Sequence, residues 1–229
     1  PLAEARLSTF LAADKDNTDD APDAFLSGVI SDAQARYNLR NLIDAQGKIV
    51  PAEQAALERL CQAIGVSSDV STRIAQGLRD ALASSGPTAP LMPRSATQLS
   101  WLGVEAETVR RIEPYVTLLP KPTPVNVNTA SREVLVGAIK GLDLASAERL
   151  LQVRQRTPFK TLQEVEAQVP TLKPLPAQQL GVKSDFFEVS GRLRLGDRSL
   201  EQRSLVERRG IDVVALQREQ VSSREQATP

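Results

Sequence analysis

The chain has 229 residues, of which 41% are hydrophobic and 24% are charged, a composition typical of a globular protein with a sizeable core. Its 28 basic residues balance its 28 acidic residues, so no overall positive field exists to attract nucleic acid. The absence of histidine removes the commonest general base, the Ser-His and Cys-His catalytic pairs and most zinc sites.

No segment of the sequence approaches the roughly 20 apolar residues that a membrane-spanning helix requires. The sequence begins at Pro1 rather than at a methionine. We therefore expect a trimmed or mature chain, with any membrane anchor outside this sequence.

Residues 1–50 hold short apolar runs, such as Phe25 to Ile30, which are broken by an acidic stretch from Asp14 to Asp23. This pattern predicts strands. Tyr37 to Ile43 alternates apolar and polar residues before the pattern slips, which predicts a strand or an extended loop.

From Pro51 the apolar spacing changes to that of helices. The first predicted helix starts at Pro51 and ends at Gly65, and the second is capped by Ser67 or Ser68 and stops at Ser84. Cys61, the only cysteine, shares a helical face with Leu57, Leu60 and Ile64, so we expect it to pack in the core rather than act as a nucleophile.

The segment 86–93 is rich in proline and predicts a linker. Ser95 and Gln98 form a predicted capping box, and a short helix follows over 105–112. Tyr115 to Leu119 is predicted to be extended, and three prolines then enforce an extended connector: Pro120, Pro122 and Pro124.

Three further helices are predicted over 125–182. Asn128 or Thr129 is expected to cap the first, which ends at Gly141, and Asp143 the second. Thr161 and Glu164 form a capping box for the third, which runs to about Gln168.

Alternation returns after Ser184 and predicts an antiparallel meander with turns at 196–197 and 209–210. We expect one sheet built from both chain ends, residues 1–50 and 184–222, because a hairpin near the start would be marginally stable alone. The helices then form two inserted subdomains, 51–122 and 123–183, and residues 223–229 form a frayed tail.

The most informative segment is 124–135, which reads Pro-Val-Asn-Val-Asn-Thr-Ala-Ser-Arg-Glu-Val-Leu. We expect Asn126 and Asn128 to satisfy backbone groups at a chain reversal and to cap the next helix, in preference to direct ligand contact. Together with Gly141, Arg154 and Phe159, the segment resembles both the K-type minor pseudopilins of type II secretion systems and the helix-hairpin-helix DNA-binding domains.

Binding of DNA by such a hairpin needs backbone amides that cradle a phosphate between two glycines. Only Gly141 is kept here, and Asp143 occupies the place of the second glycine. Its negative charge and its side chain both disfavour a phosphate. DNA binding therefore stands as the alternative function.

Three more segments favour the pseudopilin family, because their order along the chain resembles it. They are Val29 to Leu42, with Arg40 at a usually polar position, Pro114 to Pro120, and Ser184 to Phe187. The family's acidic stretch after the first helical hairpin is replaced by Arg79 to Leu82 and a short proline-rich loop, so any metal role of that stretch is not carried over.

This resemblance implies an α+β protein: a pilin-like antiparallel sheet with a large inserted helical domain of the SAM-like or helix-hairpin-helix-like kind. It implies a minor pseudopilin that assembles with the I and J types, and with the H type as a further partner, to initiate and cap a pseudopilus at its tip. Exported substrates are further candidate partners. The chain would be the periplasmic domain of a bacterial inner-membrane protein, attached to the membrane only through an N-terminal helix absent from this sequence.

Neither catalytic nor cofactor-binding nor metal-binding residues are assigned, and we expect no enzyme activity, since no spacing of acids singles out a general acid and base pair. Some relatives bind calcium, and clustered carboxylates suit a hard cation, but a solvated acidic loop is the favoured interpretation of the cluster Asp14, Asp16, Asp19, Asp20 and Asp23. A solvent-facing or partner-binding stripe is expected from the arginines near the end: Arg192, Arg194, Arg198, Arg203, Arg208 and Arg209.

Overall fold

The structure, a computed structural model, describes residues 2–6, 24–83, 90–196 and 198–224. The chain divides into two units. Residues 1–33 and 185–229 form the sheet unit, and residues 34–184 form the helical unit. The helical unit is thus an insertion within the sheet unit.

Within the described residues the strands β1 to β9 are, in chain order, Leu2–Arg6, Ala24–Asp32, Tyr37–Asn38, Val116–Thr117, Val125–Asn126, Leu180–Gly181, Phe186–Leu195, Arg198–Arg209 and Asp212–Arg224. The α-helices α1 to α6 are Pro51–Ala63, Asp69–Ala83, Ala106–Ile112, Arg132–Ala138, Leu144–Arg156 and Leu162–Gln168. Short 3-10 helices lie at Ala33–Ala35, Leu39–Leu42, Ala96–Leu102, Glu113–Tyr115 and Pro170–Leu172.

Among the described residues, the sheet unit holds five antiparallel strands in the order β1-β2-β7-β8-β9. Strand β2 pairs with β7 from Ala24 opposite Leu195 to Asp32 opposite Phe187, which confirms a sheet made from both chain ends. Gly196 and Gly210 adopt φ values of 58° and 66° at the two hairpin turns, as glycine readily does. Strand β9 continues to Arg224, beyond the predicted limit at 222, and residues 225–229 lie outside the described residues.

The helical unit begins earlier than the sequence predicts. Tyr37, Leu39, Leu42 and Ile43 are at most 4% exposed and belong to the core of the helical unit, so the boundary lies at 33/34 instead of at 50/51. The slip in alternation has a cause, since the 3-10 turn at Leu39–Leu42 directs both of its leucines inward. One core also spans the two predicted subdomains, which are therefore not separate.

The helix caps agree with the sequence in part. Helix α1 starts with Pro51, and a left-handed Gly65 follows its C-cap, Ile64. Asp143 and Thr161 cap α5 and α6. Neither Asn128 nor Thr129 caps α4. That role belongs to Ser131, whose Oγ accepts the amide of Val134 at 3.3 Å.

The predicted capping box of Ser95 and Gln98 is also wrong. The Ser95 side chain does not cap the 3-10 helix that follows it. Its hydroxyl is hydrogen bonded to Thr97 Oγ1, and Gln98 Oε1 accepts the amide of Arg94 instead.

Helices α1 and α4 approach closely at Gly137. An added Cβ there would lie 2.8 Å from Leu60 Cβ, closer than real Cβ contacts come, and at a tight 3.2 Å from the carbonyl oxygen of Ala56. Arg59 Nε also donates to the Gly137 carbonyl at 3.0 Å. Glycine is therefore required by the packing of the two helices rather than by its backbone conformation.

We expect Gly137→Ala to lower the free energy of unfolding by about 1–2 kcal/mol, because overpacking outweighs the better helix propensity of alanine. Urea unfolding followed by circular dichroism measures this change. The matched control is Gly191→Ala in β7, where an added Cβ meets nothing within 4 Å and the change should stay within about 0.5 kcal/mol. Equal effects of the two substitutions would contradict the close contact.

Candidate interaction surfaces

Two asparagines ahead of α1 hold the proline-rich connector in place. Asn38 Nδ2 donates to the carbonyl of Lys121 at 2.8 Å and to Thr123 Oγ1 at 3.0 Å. Asn41 bonds both backbone groups of Thr123, donating to its carbonyl at 2.9 Å and accepting its amide at 3.0 Å. These side chains supply partners that the connector, interrupted by prolines, does not obtain from secondary structure.

Asn126 and Asn128 do the same at the next chain reversal. Asn126 Oδ1 accepts the amide of Asn128 at 3.0 Å. Asn128 then donates to the carbonyls of Phe159 and Val182 at 2.8 and 3.0 Å and accepts the Phe159 amide at 2.8 Å. Asn128 therefore joins three stretches of backbone, which confirms the expected role at the chain reversal, whereas the expected cap of the next helix is supplied by Ser131 instead.

The hairpin between α4 and α5 is closed by its own acid. Gly141 has a φ of 83°, Leu142 is 5% exposed, and the exposed Asp143 accepts the Ser146 amide at 2.7 Å and the Ser146 hydroxyl at 3.1 Å. The hydrogen bond from the Ser146 amide is the main cause that lowers the pKa of Asp143. An ionised carboxylate thus occupies the helix N-terminus that a DNA phosphate would need.

The predicted arginine stripe is divided between the two faces of the sheet. Cross-strand register and alternation along each strand assign Arg192, Arg194, Arg203 and Arg209 to one face and Arg198 and Arg208 to the other. We call the first the polar face and the second the apolar face. The six arginines therefore do not form one stripe, because β8 contributes residues of both parities.

Arginines on the polar face contact groups of the same sheet. Arg203 and Arg209 form ion pairs with Glu201 and Glu207, each with a shortest distance of 2.7 Å. The guanidinium carbon of Arg194 lies 4.3 Å from the ring centroid of Phe25, within the range of a cation–π contact.

The apolar face carries hydrophobic side chains in successive cross-strand rows: Ala24 with Leu195, Leu26 with Leu193 and Leu200, Ile30 with Val189, and Phe187 with Val206. Ile30, Leu195 and Leu200 are 70%, 43% and 38% exposed. Gly28 pairs with Gly191 between these rows. Exposed apolar area of this kind marks an interaction surface, and paired glycines permit a close approach by another backbone.

The sequence offers one candidate thiol, Cys61, and one candidate metal site, the acidic stretch from Asp14 to Asp23. Cys61 is fully buried, and burial raises its pKa to about 12, so it packs in the core as predicted and is unsuited to nucleophilic chemistry. The acidic stretch from Asp14 to Asp23 lies outside the described residues. Among the residues that the structure describes, no group of three or more acidic or cysteine side chains could hold a metal ion.

The sequence does not predict the buried carboxylate of Glu53. Glu53 in α1 is 8% exposed, and Tyr37 Oη donates to its carbonyl at 3.0 Å and to its carboxylate at 2.8 Å. Burial raises the pKa of Glu53, and hydrogen bonds, first that from Tyr37, offset part of that rise. In the sequence Glu53 is an ordinary acid in the first turn of a helix, and nothing there signals its burial.

These features define a class of α+β proteins in which a helical unit interrupts an antiparallel sheet. Their fold is similar to that of a solved structure, the GspK–GspI–GspJ complex of the type 2 secretion system of enterotoxigenic Escherichia coli, with a TM-score of 0.68. The match covers 90% of this chain and 83% of the other at 20% identity.

Two models of the family described as type II secretion system protein K match residues 35–121 and 125–183. Protein K of Pectobacterium carotovorum subsp. carotovorum is 27% identical over 85% of this chain, and that of Pseudomonas aeruginosa PAO1 is 27% identical over 74%. These alignments span 69% and 56% of the two relatives. The chain belongs to the type II secretion system protein K family.

We expect Asn128→Ala to lower the free energy of unfolding by about 2–3 kcal/mol, because two carbonyls and one amide lose their partner in a half-buried position. Thermal or urea unfolding measures the change. Gln155→Ala on the exposed side of α5 is the control and should stay within about 0.5 kcal/mol. A change equally small at Asn128 would show that water replaces the asparagine.

We expect Glu53→Gln to stabilise the protein more at neutral than at acid pH. Because folding raises the pKa of Glu53, its contribution to stability is fully present below the unfolded pKa and is lost as the pH rises through the folded pKa. Glutamine retains an oxygen that accepts the Tyr37 hydroxyl but does not ionise. Urea unfolding measured from acid to neutral pH should show that the free energy of unfolding of the variant, relative to the wild type, increases as the pH rises. A relative free energy that falls as the pH rises would contradict the raised pKa of Glu53.

Proposed function

We propose that this chain is the head of a K-type minor pseudopilin, which assembles with I-type and J-type minor pseudopilins to initiate and cap a type II secretion pseudopilus. The observation that carries the proposal is the match of two protein K models along the helical unit. The similar GspK chain was solved in a complex with GspI and GspJ. H-type pseudopilins and exported substrates are further proposed partners.

The insertion supports a capping role by its size. The helical unit, residues 34–184, enters the chain between β2 and β7, which are neighbours in the sheet. A fibre subunit with such a head accepts further subunits beneath it, whereas the head hinders addition above it. The chain would therefore start the fibre and stay at its end.

The apolar face supports attachment to the fibre. We propose that it packs against an apolar helix encoded upstream of Pro1, and that the paired Gly28 and Gly191 allow this helix to approach the sheet. The same helix would anchor the protein in the inner membrane, with the described units in the periplasm. In the described part of the chain, the helices are too short or too polar to cross a bilayer.

We further propose that the chain works by assembly, with neither catalysis nor a cofactor. The polar motifs of the helical unit support this, since the side-chain amides of Asn38, Asn41 and Asn128 donate hydrogen bonds to backbone carbonyls. Asp143 at the hairpin disfavours the alternative of DNA binding.

We expect the purified chain to form a stable complex with the periplasmic domains of the I and J pseudopilins of the same secretion system, measured by calorimetry and size-exclusion chromatography. Binding should be the same in calcium and in EDTA, because the proposed function needs no metal. A gel shift with duplex DNA at low salt should show no complex.

Failure to bind either pseudopilin would contradict the proposed function. So would a reading frame that lacks about 20 apolar residues immediately upstream of Pro1. Loss of binding in EDTA would leave assembly in place and overturn only the proposal that no metal is needed.

A further inference from the structure

A pocket with a volume of about 260 Å³ lies between the start of α1 and the proline-rich connector. Glu53 of α1, Asn41 and Asp44 line it together with residues 122–124 of the connector. Its described lining residues all belong to the helical unit. Because sites for small molecules usually occupy roughly 300–1,000 Å³, this pocket suits a single side chain better than a larger ligand.

Glu53 brings a buried carboxylate to this pocket. It is 8% exposed, and the side chains that hydrogen bond its carboxylate are neutral: Tyr37, Gln179 and Asn41. Of the influences that lower the pKa of Glu53, the charge of Arg59 is the smallest, and Arg59 Nε donates to a backbone carbonyl. Within the described residues Glu53 therefore forms no ion pair, although an unpaired buried charge is costly.

Asp44 adds a second carboxylate at the same pocket. Its Oδ1 accepts the amides of Gln46 and Lys48 at 2.9 and 2.8 Å, whereas its Oδ2 accepts no hydrogen bond from the residues that the structure describes. The described lining residues include these two acids and no lysine or arginine. The pocket therefore carries negative charge that the helical unit does not pair with a cation.

The oxygens of the pocket suit an organic cation better than a metal ion. Calcium takes six to eight oxygen ligands, whereas this pocket offers two carboxylates. Asn41 Oδ1 already accepts the amide of Thr123 at 3.0 Å, and the Thr123 carbonyl accepts from Asn41 Nδ2 at 2.9 Å. An ammonium or guanidinium group needs only one or two carboxylates as partners.

We propose that this pocket binds a lysine or arginine side chain of a partner protein. Its charged end would pair with Glu53 and Asp44, and its carbon chain would lie against three apolar lining residues: the half-buried Val50 and Pro124 and the exposed Pro122. Such pairing would offset the cost of burying the Glu53 carboxylate. The inference goes beyond the proposed function, because it concerns a pocket of the helical unit and does not require that the chain cap a fibre.

The test uses the whole chain, labelled with ¹⁵N, and blocked glycine peptides that carry one central lysine or arginine. NMR titration at neutral pH and low salt should show saturable shifts of the Thr123 amide and the Asn41 side-chain amide, with a dissociation constant on the order of 1 mM. Glu53→Gln should weaken binding at least about tenfold, because the buried carboxylate supplies most of the attraction. Asp44→Asn should weaken it about threefold, as for a more exposed ion pair.

The matched control is Glu58→Gln, which removes another acid of α1 that is absent from the pocket lining and should leave binding as in the wild type. Urea unfolding checks that each variant is folded. A peptide with norleucine, which has a carbon chain without the charge, should cause no saturable shifts. Calcium chloride at the concentration of the peptide should not displace it.

The proposal is overturned if neither basic peptide binds, if the norleucine peptide binds equally well, or if Glu58→Gln weakens binding as much as Glu53→Gln does. Displacement of the peptide by calcium would overturn the choice of an organic cation. Free butylammonium is titrated as well, and if it binds where the peptides do not, the pocket takes a free amine and the assignment to a partner's side chain is wrong.

Discussion

The fold of the helical unit depends on the side chains that supply hydrogen-bond partners to the backbone of the proline-rich connector. Buried carbonyls without partners cost free energy, and residues 119–124 contain three prolines that cannot donate an amide hydrogen. Asn38, Asn41 and Gln34 supply the missing bonds, reaching the backbone of Leu119, Lys121, Thr123 and Pro124. These contacts join segments about 80 residues apart in sequence and so close the first half of the helical unit upon itself.

Polar side chains also bond distant backbone segments in the second half of the helical unit, around the segment 124–135 that carries the family resemblance. Asn128 joins Phe159 and Val182 to the chain reversal, and Arg154 donates to the Val127 carbonyl at 2.5 Å. Burial lowers the pKa of Arg154, and its guanidinium bonds a backbone carbonyl of this chain. In this chain, the segment that resembles DNA-binding hairpins therefore uses these side chains to hold its own backbone together.

Local sequence patterns correctly predict the turns and helix caps that depend only on neighbouring residues. Gly196 and Gly210 mark the hairpin turns, and Asp143 and Thr161 cap the helices that follow them. Features set by distant contacts were missed: the boundary at 33/34 depends on burial of Leu39 and Leu42 against helices further along the chain. Glu53 was missed because its partner Tyr37 is fixed by tertiary packing. The arginine stripe is wrong because Arg198 and Arg208 differ in parity from Arg203 and Arg209 along one strand, so alternation places them on opposite faces.

The two faces of the sheet unit differ in the side chains that they leave exposed. On the polar face of the sheet, Arg203 and Arg209 form ion pairs with Glu201 and Glu207 on the same strand, so these two charges need no outside partner. The apolar face leaves hydrophobic area exposed, which suits a permanent contact with another helix. The apolar face of the sheet unit is thus chemically suited to a lasting contact.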